Sequence, residues 1–173
     1  MIKTSLWSLL FSFCLLIIET ALLSNIYVIP VVPDLVLLCL LFISFTNGSV
    51  SGEVHGFFSG LMLDFLSASP LGLNSLLRTI IGFFAGLLKT TFNADKIFFP
   101  AILAAASTLF KACMLFVLNF LFGDKVAVYK FSESLLWIEL CMNTVLAPVM
   151  FNFLGLFSSL LIIAPKSSSY AAE

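Results

Sequence analysis

Long apolar stretches follow one another along the chain, separated by short polar or proline-containing turns. The predicted spans cover residues 5–28, 33–45, 50–67, 73–92, 97–122 and 134–164. Their apolar runs are continuous rather than alternating, which is typical of membrane helices and not of barrel strands. About 20 apolar residues are enough for one helical crossing of a bilayer. The pattern therefore predicts an all-α, polytopic membrane bundle of about six transmembrane helices.

The sequence also predicts the extent of the bundle and features of its first, second and sixth spans. The whole bundle is expected to form one domain over residues 1–164, followed by a short polar tail over 165–173. The first span follows Lys3 and lacks an A-x-A cleavage pattern, so we interpret it as an uncleaved helix. The second span is short for a complete crossing, and Pro148 is expected to kink the sixth.

Composition supports the membrane class. Hydrophobic residues make up 61% of the chain and charged residues 10%, whereas soluble domains carry about 25% charged residues. The net charge of −1 gives no polybasic surface for nucleic acid or acidic lipid. The four cysteines lie in apolar runs without C-x-x-C pairing, and we interpret them as small apolar side chains.

The third predicted span carries small residues at four-residue spacing. Gly52, Gly56 and Gly60 share one helical face with Asp64. In a membrane, small residues at this spacing let a second helix backbone approach closely. We expect a packing seam inside the bundle that ends in the polar turn before Gly72. Gly60→Leu or Asp64→Leu is expected to disrupt folding or partner binding.

Ionisable side chains also fall within or at the edge of the predicted spans. Each costs about 2.5–3.5 kcal/mol if it stands alone at the bilayer centre, so pairing is expected. The sequence predicts a salt bridge between Asp64 and Arg78 across the turn between the third and fourth spans. Lys111 is expected to pair with Glu139 or Glu19. We favour structural pairing over a proton or substrate path for these groups.

No pattern of catalytic or metal-binding residues stands out. The chain has no H-E-x-x-H, no G-x-S-x-G, no Walker loop and no cysteine–histidine pair. Asp34 and Asp64 lack the flanking motif of an aspartyl protease. His55 is expected to be a polar residue of the membrane interface rather than a ligand. The sequence therefore predicts no enzyme, no metal site and no cofactor.

Lysine placement sets the expected orientation. With six spans and an inside amino terminus, one side of the membrane receives Lys3, Lys89, Lys96 and Lys166. The other side receives Lys125 and Lys130, with Arg78 near that interface. Both termini are therefore expected to be cytoplasmic.

Several of these motifs, taken in order, resemble the rod shape-determining MreD family of bacteria. The resemblance is strongest over residues 30–90 and lies in Pro33-Asp34-Leu35, Gly56-Phe57-x-x-Gly60-Leu61-x-x-Asp64 and Leu71-Gly72. It implies a bundle like that of the substrate-binding subunits of energy-coupling-factor transporters. The positions expected to shape this bundle or bind a partner are Pro33, Asp34, Gly52, Gly56, Gly60, Asp64, Gly72 and Arg78.

The resemblance also implies a function. MreD-like proteins are non-catalytic inner-membrane subunits of the elongasome, or Rod complex, which directs lateral peptidoglycan synthesis and rod cell shape. The implied partners are MreC, by direct contact, and MreB, RodA and a class B penicillin-binding protein in the same complex. The alternative is a vitamin-binding subunit of an energy-coupling-factor transporter. Ala21 is the only alanine of residues 5–28, which disfavours the Ala-x-x-x-Ala docking pattern of such subunits.

Overall fold

The computed structural model describes residues 2–22, 31–67, 69–90, 97–122 and 134–163 of the 173-residue chain. Within these ranges the chain forms helices joined by turns, and it contains no strand. The helices are α1 (Ile2–Ile17, continuing as a π-helical turn over Ile18–Leu22), α2 (Leu35–Asn47), α3 (Ser49–Leu66), α4 (Leu73–Leu87, continuing as a 3-10 turn over Leu88–Thr90), α5 (Phe98–Phe122), α6 (Ser134–Leu156) and α7 (Ser158–Leu161).

The prediction of an all-α membrane bundle is confirmed. Among the described residues, three helical segments are long and apolar enough to cross a membrane: Thr4–Ala21, Phe98–Phe120 and Ser134–Leu156. Leu35–Asn47 and Leu73–Leu87 are shorter apolar helices. Helices α1 to α6 follow the predicted order of spans, but they are not six equal crossings, and α7 is a separate short helix.

The predicted sixth span differs from the structure. The sixth span, predicted over residues 134–164, consists of two helices because the chain leaves helical geometry at Phe157. Pro148 lies inside α6. The predicted end of the first span, the polar loop over residues 123–133 and the tail over 165–173 lie outside the described residues. The orientation of the bundle stays a prediction.

Helix α2 is the centre of the bundle. It contacts α1, α3, α4, α5 and α6, and every residue from Val36 to Ser44 is buried. A helix that is apolar on all sides is stable only when other helices surround it or lipid does. At a rise of 1.5 Å per residue, its 13 residues span only about 20 Å. The second span is short because α2 begins inside the bundle, so Asp34 is buried there.

The glycine seam joins α3 to α4. A Cβ atom on Gly52 or Gly56 would collide with the backbone carbonyl of Gly82 or Arg78 on α4. A Cβ atom on Gly60 would lie 2.5 Å from the carbonyl oxygen of Asn74. No other pair of described helices has as extensive a contact as α3 and α4. The prediction that the seam packs inside the bundle is confirmed.

We expect Gly60→Ala to destabilise the folded protein by about 1–3 kcal/mol, because the added methyl group must push two backbones apart. Thermal or denaturant unfolding of the purified protein in detergent measures this loss. Gly155→Ala is the matched control, since a Cβ atom at Gly155 in α6 meets no atom within 4 Å. Equal stability of the two variants would contradict the close packing of the seam.

Candidate functional site

Asp34 begins α2 and is the residue that the other charged side chains of the bundle surround. Its carboxylate accepts a hydrogen bond from the backbone N–H of Leu37 (2.8 Å), so it caps the amino terminus of α2. Pro33 immediately precedes it, and proline is tolerated at a helix start because its missing N–H would have no partner there. The acid thus lies at the positive end of the helix dipole.

Two cations from different helices meet this carboxylate. Arg78 of α4 donates from Nη2 to one oxygen of Asp34 at 2.8 Å, and Lys111 of α5 donates from Nζ to the other at 2.9 Å. Lys111 also donates to Glu139 of α6 at 2.8 Å. The four side chains form a continuous ionic network that joins α2, α4, α5 and α6. The predicted pairing of Lys111 with Glu139 is present.

Neutral polar groups extend the network. The backbone N–H of Asp34 donates to the side-chain oxygen of Asn143 on α6 at 2.9 Å. The amide nitrogen of Asn143 donates to Thr108 on α5 at 3.1 Å, and the Thr108 hydroxyl donates to the carbonyl of Ala104 at 2.9 Å. On the side of α1, Glu19 accepts from the backbone N–H of Val36 at 3.3 Å.

The network is enclosed by protein. Asp34, Arg78, Glu139 and Asn143 are all at most 5% exposed. Within the described residues, Arg78 Nη1 and Glu139 Oε2 are buried atoms without a hydrogen-bond partner. Removal of one charge from such a cluster leaves the others uncompensated, and this is strongly destabilising. The arrangement is therefore suited to holding four helices in a fixed register.

The predicted salt bridge between Asp64 and Arg78 is wrong. The two residues flank one turn in the sequence, but Arg78 lies on the second turn of α4, where its side chain reaches the start of α2 and binds Asp34. The prediction relied on proximity in sequence, but the carboxylate nearest to Arg78 is that of Asp34, at the start of α2.

Asp64 instead caps α4. Its two oxygens accept five hydrogen bonds of 2.9–3.2 Å, from the backbone N–H groups of Gly72, Asn74 and Ser75 and from the side chains of Ser69 and Asn74. Gly72, which precedes the first residue of α4, has φ +92° and no side chain that could cap the helix. Asp64 thus satisfies the amide groups at this helix start.

His55 is buried in the bundle, and its position relative to the membrane interface stays a prediction. It faces α1, where its Nε2 lies 2.8 Å from the hydroxyl oxygen of Ser12. Its Nδ1 has no hydrogen-bond partner in the described part of the chain. The Ser12 hydroxyl also lies 3.5 Å from the sulfur of the buried Cys39. His55 lies next to the glycine seam on α3, and it is buried because that face of α3 packs against neighbouring helices.

The described residues include no group of three or more His, Cys, Asp or Glu side chains that could hold a metal ion. A cavity of about 350 Å³ lies between α4 and α5, away from the ionic network. Apart from Ser107, its lining is apolar: Ile81, Phe84, Ala85, Leu88, Leu103, Ala106 and Phe110. Such a lining offers few groups that could orient a polar ligand, so no observation favours the transporter alternative.

Sequence reasoning missed Asn143 and Thr108 as members of the site. Asn143 is the one amide in the apolar run from Leu135 to Val149, and that isolation is the signal that could have identified it. Glu139 and Lys111 were predicted to pair, but their connection to Asp34 was not predicted, because three helices must converge for it to form.

These features define a class of protein: a polytopic helical membrane protein whose charged residues pair inside the bundle. The family described as rod shape-determining protein MreD matches residues 1–157. The chain therefore belongs to the MreD family and is a membrane protein concerned with cell shape. No curated protein and no solved structure matches the chain.

We expect Asp34→Asn to destabilise the protein by about 3–5 kcal/mol. The asparagine side chain is neutral, so the buried charges of Arg78 and Lys111 lose the carboxylate that compensates them at the start of α2. Chemical unfolding in detergent, compared with wild type, measures this effect. Glu53→Gln is the control, since Glu53 is a half-buried acid on α3 outside the network. A loss no larger than that of Glu53→Gln would contradict the central role of Asp34.

We expect Asp64→Leu to cost at least about 2 kcal/mol, because three backbone N–H groups at the start of α4 lose their acceptor. Limited proteolysis at the turn between α3 and α4 should become faster, and unfolding should occur at a lower temperature. Asp64→Asn keeps one acceptor oxygen and should be affected less. An Asp64→Leu variant as resistant as wild type would rule out this capping role.

Proposed function

We propose that this protein is a non-catalytic subunit of the bacterial Rod complex, needed for lateral peptidoglycan synthesis and rod shape. In this role it lies in the inner membrane with both termini in the cytoplasm and binds MreC. MreB, RodA and a class B penicillin-binding protein belong to the same complex. The observation that carries the proposal is the family match over residues 1–157.

The contacts of the buried polar side chains support a scaffold function for this protein. Asp34, Arg78, Lys111 and Glu139 bind one another, and the Asp64 carboxylate is saturated by donors of the adjacent turn. A side chain engaged in this way holds helices together. A scaffold needs a fixed outer shape, and these interactions provide it.

We further propose that the turn between α3 and α4 contributes to the MreC surface. Phe65 and Leu71 are each 71% exposed there. The Asp64 carboxylate holds the turn by accepting a hydrogen bond from the backbone N–H of Gly72. Arg78, which the sequence suggested for this surface, is buried in the network and supports it only indirectly. Pro33, Gly52, Gly56, Gly60 and Gly72 contribute in this proposal by shaping the bundle.

Depletion of the protein from its host, with complementation by plasmid-borne variants, tests the proposal. We expect depleted cells to become round and to lose insertion of new wall along the side of the cell. Wild type and Gly155→Leu should restore the rod shape, whereas Gly60→Leu should not, because it separates α3 from α4. Membrane levels of each variant, measured by immunoblot, separate loss of protein from loss of function.

A photo-crosslinking residue placed at Leu71 tests the contact itself. We expect a covalent product with MreC from this position and none from Leu156, which is 79% exposed on α6. The alternation of helix directions places these two residues at opposite ends of the bundle, so they sample different surfaces. Normal cell shape on depletion would refute the proposed function, and a product from Leu156 alone would refute the proposed surface.

A further inference from the structure

Glu19 adds a third acid beside the ionic network of Asp34, Arg78, Lys111 and Glu139, since it binds the backbone N–H of Val36 at the start of α2. With Glu19 included, the group holds three acids and two bases. Glu19 lies within electrostatic range of Asp34, Arg78 and Lys111. Full ionisation of all five side chains would leave one excess negative charge inside the bundle.

The three acids are not equally compensated. Asp34 accepts from two cations and from a backbone N–H, and Glu139 accepts from Lys111 at 2.8 Å. Among the described residues, Glu19 makes a single hydrogen bond, with the backbone N–H of Val36 at 3.3 Å. This contact joins Glu19 to the amino terminus of α2, which Asp34 already caps. Glu19 is therefore the acid whose negative charge has the weakest support.

A helix amino terminus gives an anion only modest stabilisation. Burial of an unpaired charge costs more than that, and the Asp34 carboxylate beside it adds repulsion. The remaining element, α3, contributes His55 to this region, and that ring binds Ser12. No further base among the described residues therefore offsets the Glu19 charge by direct contact.

Glu19 also differs from the other two acids in access. Asp34 and Glu139 are 5% and 2% exposed, whereas Glu19 is only half-buried. It lies in the π-helical turn over Ile18–Leu22 that ends α1. Such turns occur frequently at functional sites in helical proteins. Glu19 is therefore the least enclosed of the three acids, near the end of the first apolar span.

We propose that Glu19 binds one exchangeable proton, which brings the charge of the buried network to zero. With the proton bound, Asp34 and Glu139 remain ionised and balance Arg78 and Lys111. Release of the proton places a second negative charge beside Asp34 at the start of α2. The contact between the end of α1 and α2 weakens as a result. This property is separate from the proposed scaffold function and does not require it.

Infrared difference spectroscopy of the purified full-length protein in lipid nanodiscs tests the proposal. The carbonyl stretch of a neutral carboxylic acid is resolved from that of a carboxylate. We expect one neutral carboxyl band near neutral pH that disappears as the pH rises. The band should shift when glutamate, but not aspartate, is labelled with carbon-13. It should be missing from Glu19→Gln and retained in Glu53→Gln, the half-buried acid of α3.

Thermal unfolding as a function of pH gives a second readout. Release of the proton leaves an unpaired charge in the folded bundle, so the unfolding temperature of wild type should fall as the pH rises through the transition seen in the spectrum. Glu19→Gln mimics the protonated acid and should lose this fall, while Glu53→Gln should keep it. A wild-type spectrum without the band near neutral pH overturns the proposal. So does a band or a pH-dependent fall that persists in Glu19→Gln.

Discussion

The carboxylate of Asp34 connects more of this bundle than any other described side chain. One oxygen caps α2 and binds Arg78, and the other binds Lys111, which continues the chain of contacts to Glu139. Ion pairs of this kind add little net stability compared with apolar packing, but breaking one partner is costly. Their value to the bundle is specificity: they allow one arrangement of α2, α4, α5 and α6.

The apolar contacts and the polar contacts therefore have different roles. Leucine, isoleucine and valine side chains bury α2 on every side, and many packings of such residues have similar energies. The glycine seam excludes most alternative packings of α3 against α4, because the two backbones are too close to slide past each other. The ionic network excludes alternative packings of α5 and α6.

The sequence predicted the class of fold and the helix seam around Gly60. These features follow from local composition or from short-range spacing, which a single sequence carries directly. The partner of Lys111 was left open between Glu139 and Glu19, and the partner of Arg78 was predicted wrongly, because both depend on how distant helices are placed relative to one another. The contact of His55 with Ser12 was not predicted for a related reason: α1 lies far away in sequence. The break between α6 and α7 was not predicted, because the residue at the break is Phe157 and not a proline or a glycine.

The unequal contacts between helices have a mechanical consequence. α3 and α4 are locked along their lengths, and α5 and α6 pack on each other more extensively than either packs on α4. α2 lies between these two pairs of helices and packs on both of them. At its start, Asp34 binds Arg78 of α4 on one side and Lys111 of α5 on the other. A force applied to α3 and α4 would therefore reach α5 and α6 through α2, along its packed length and through the ion pairs at its start.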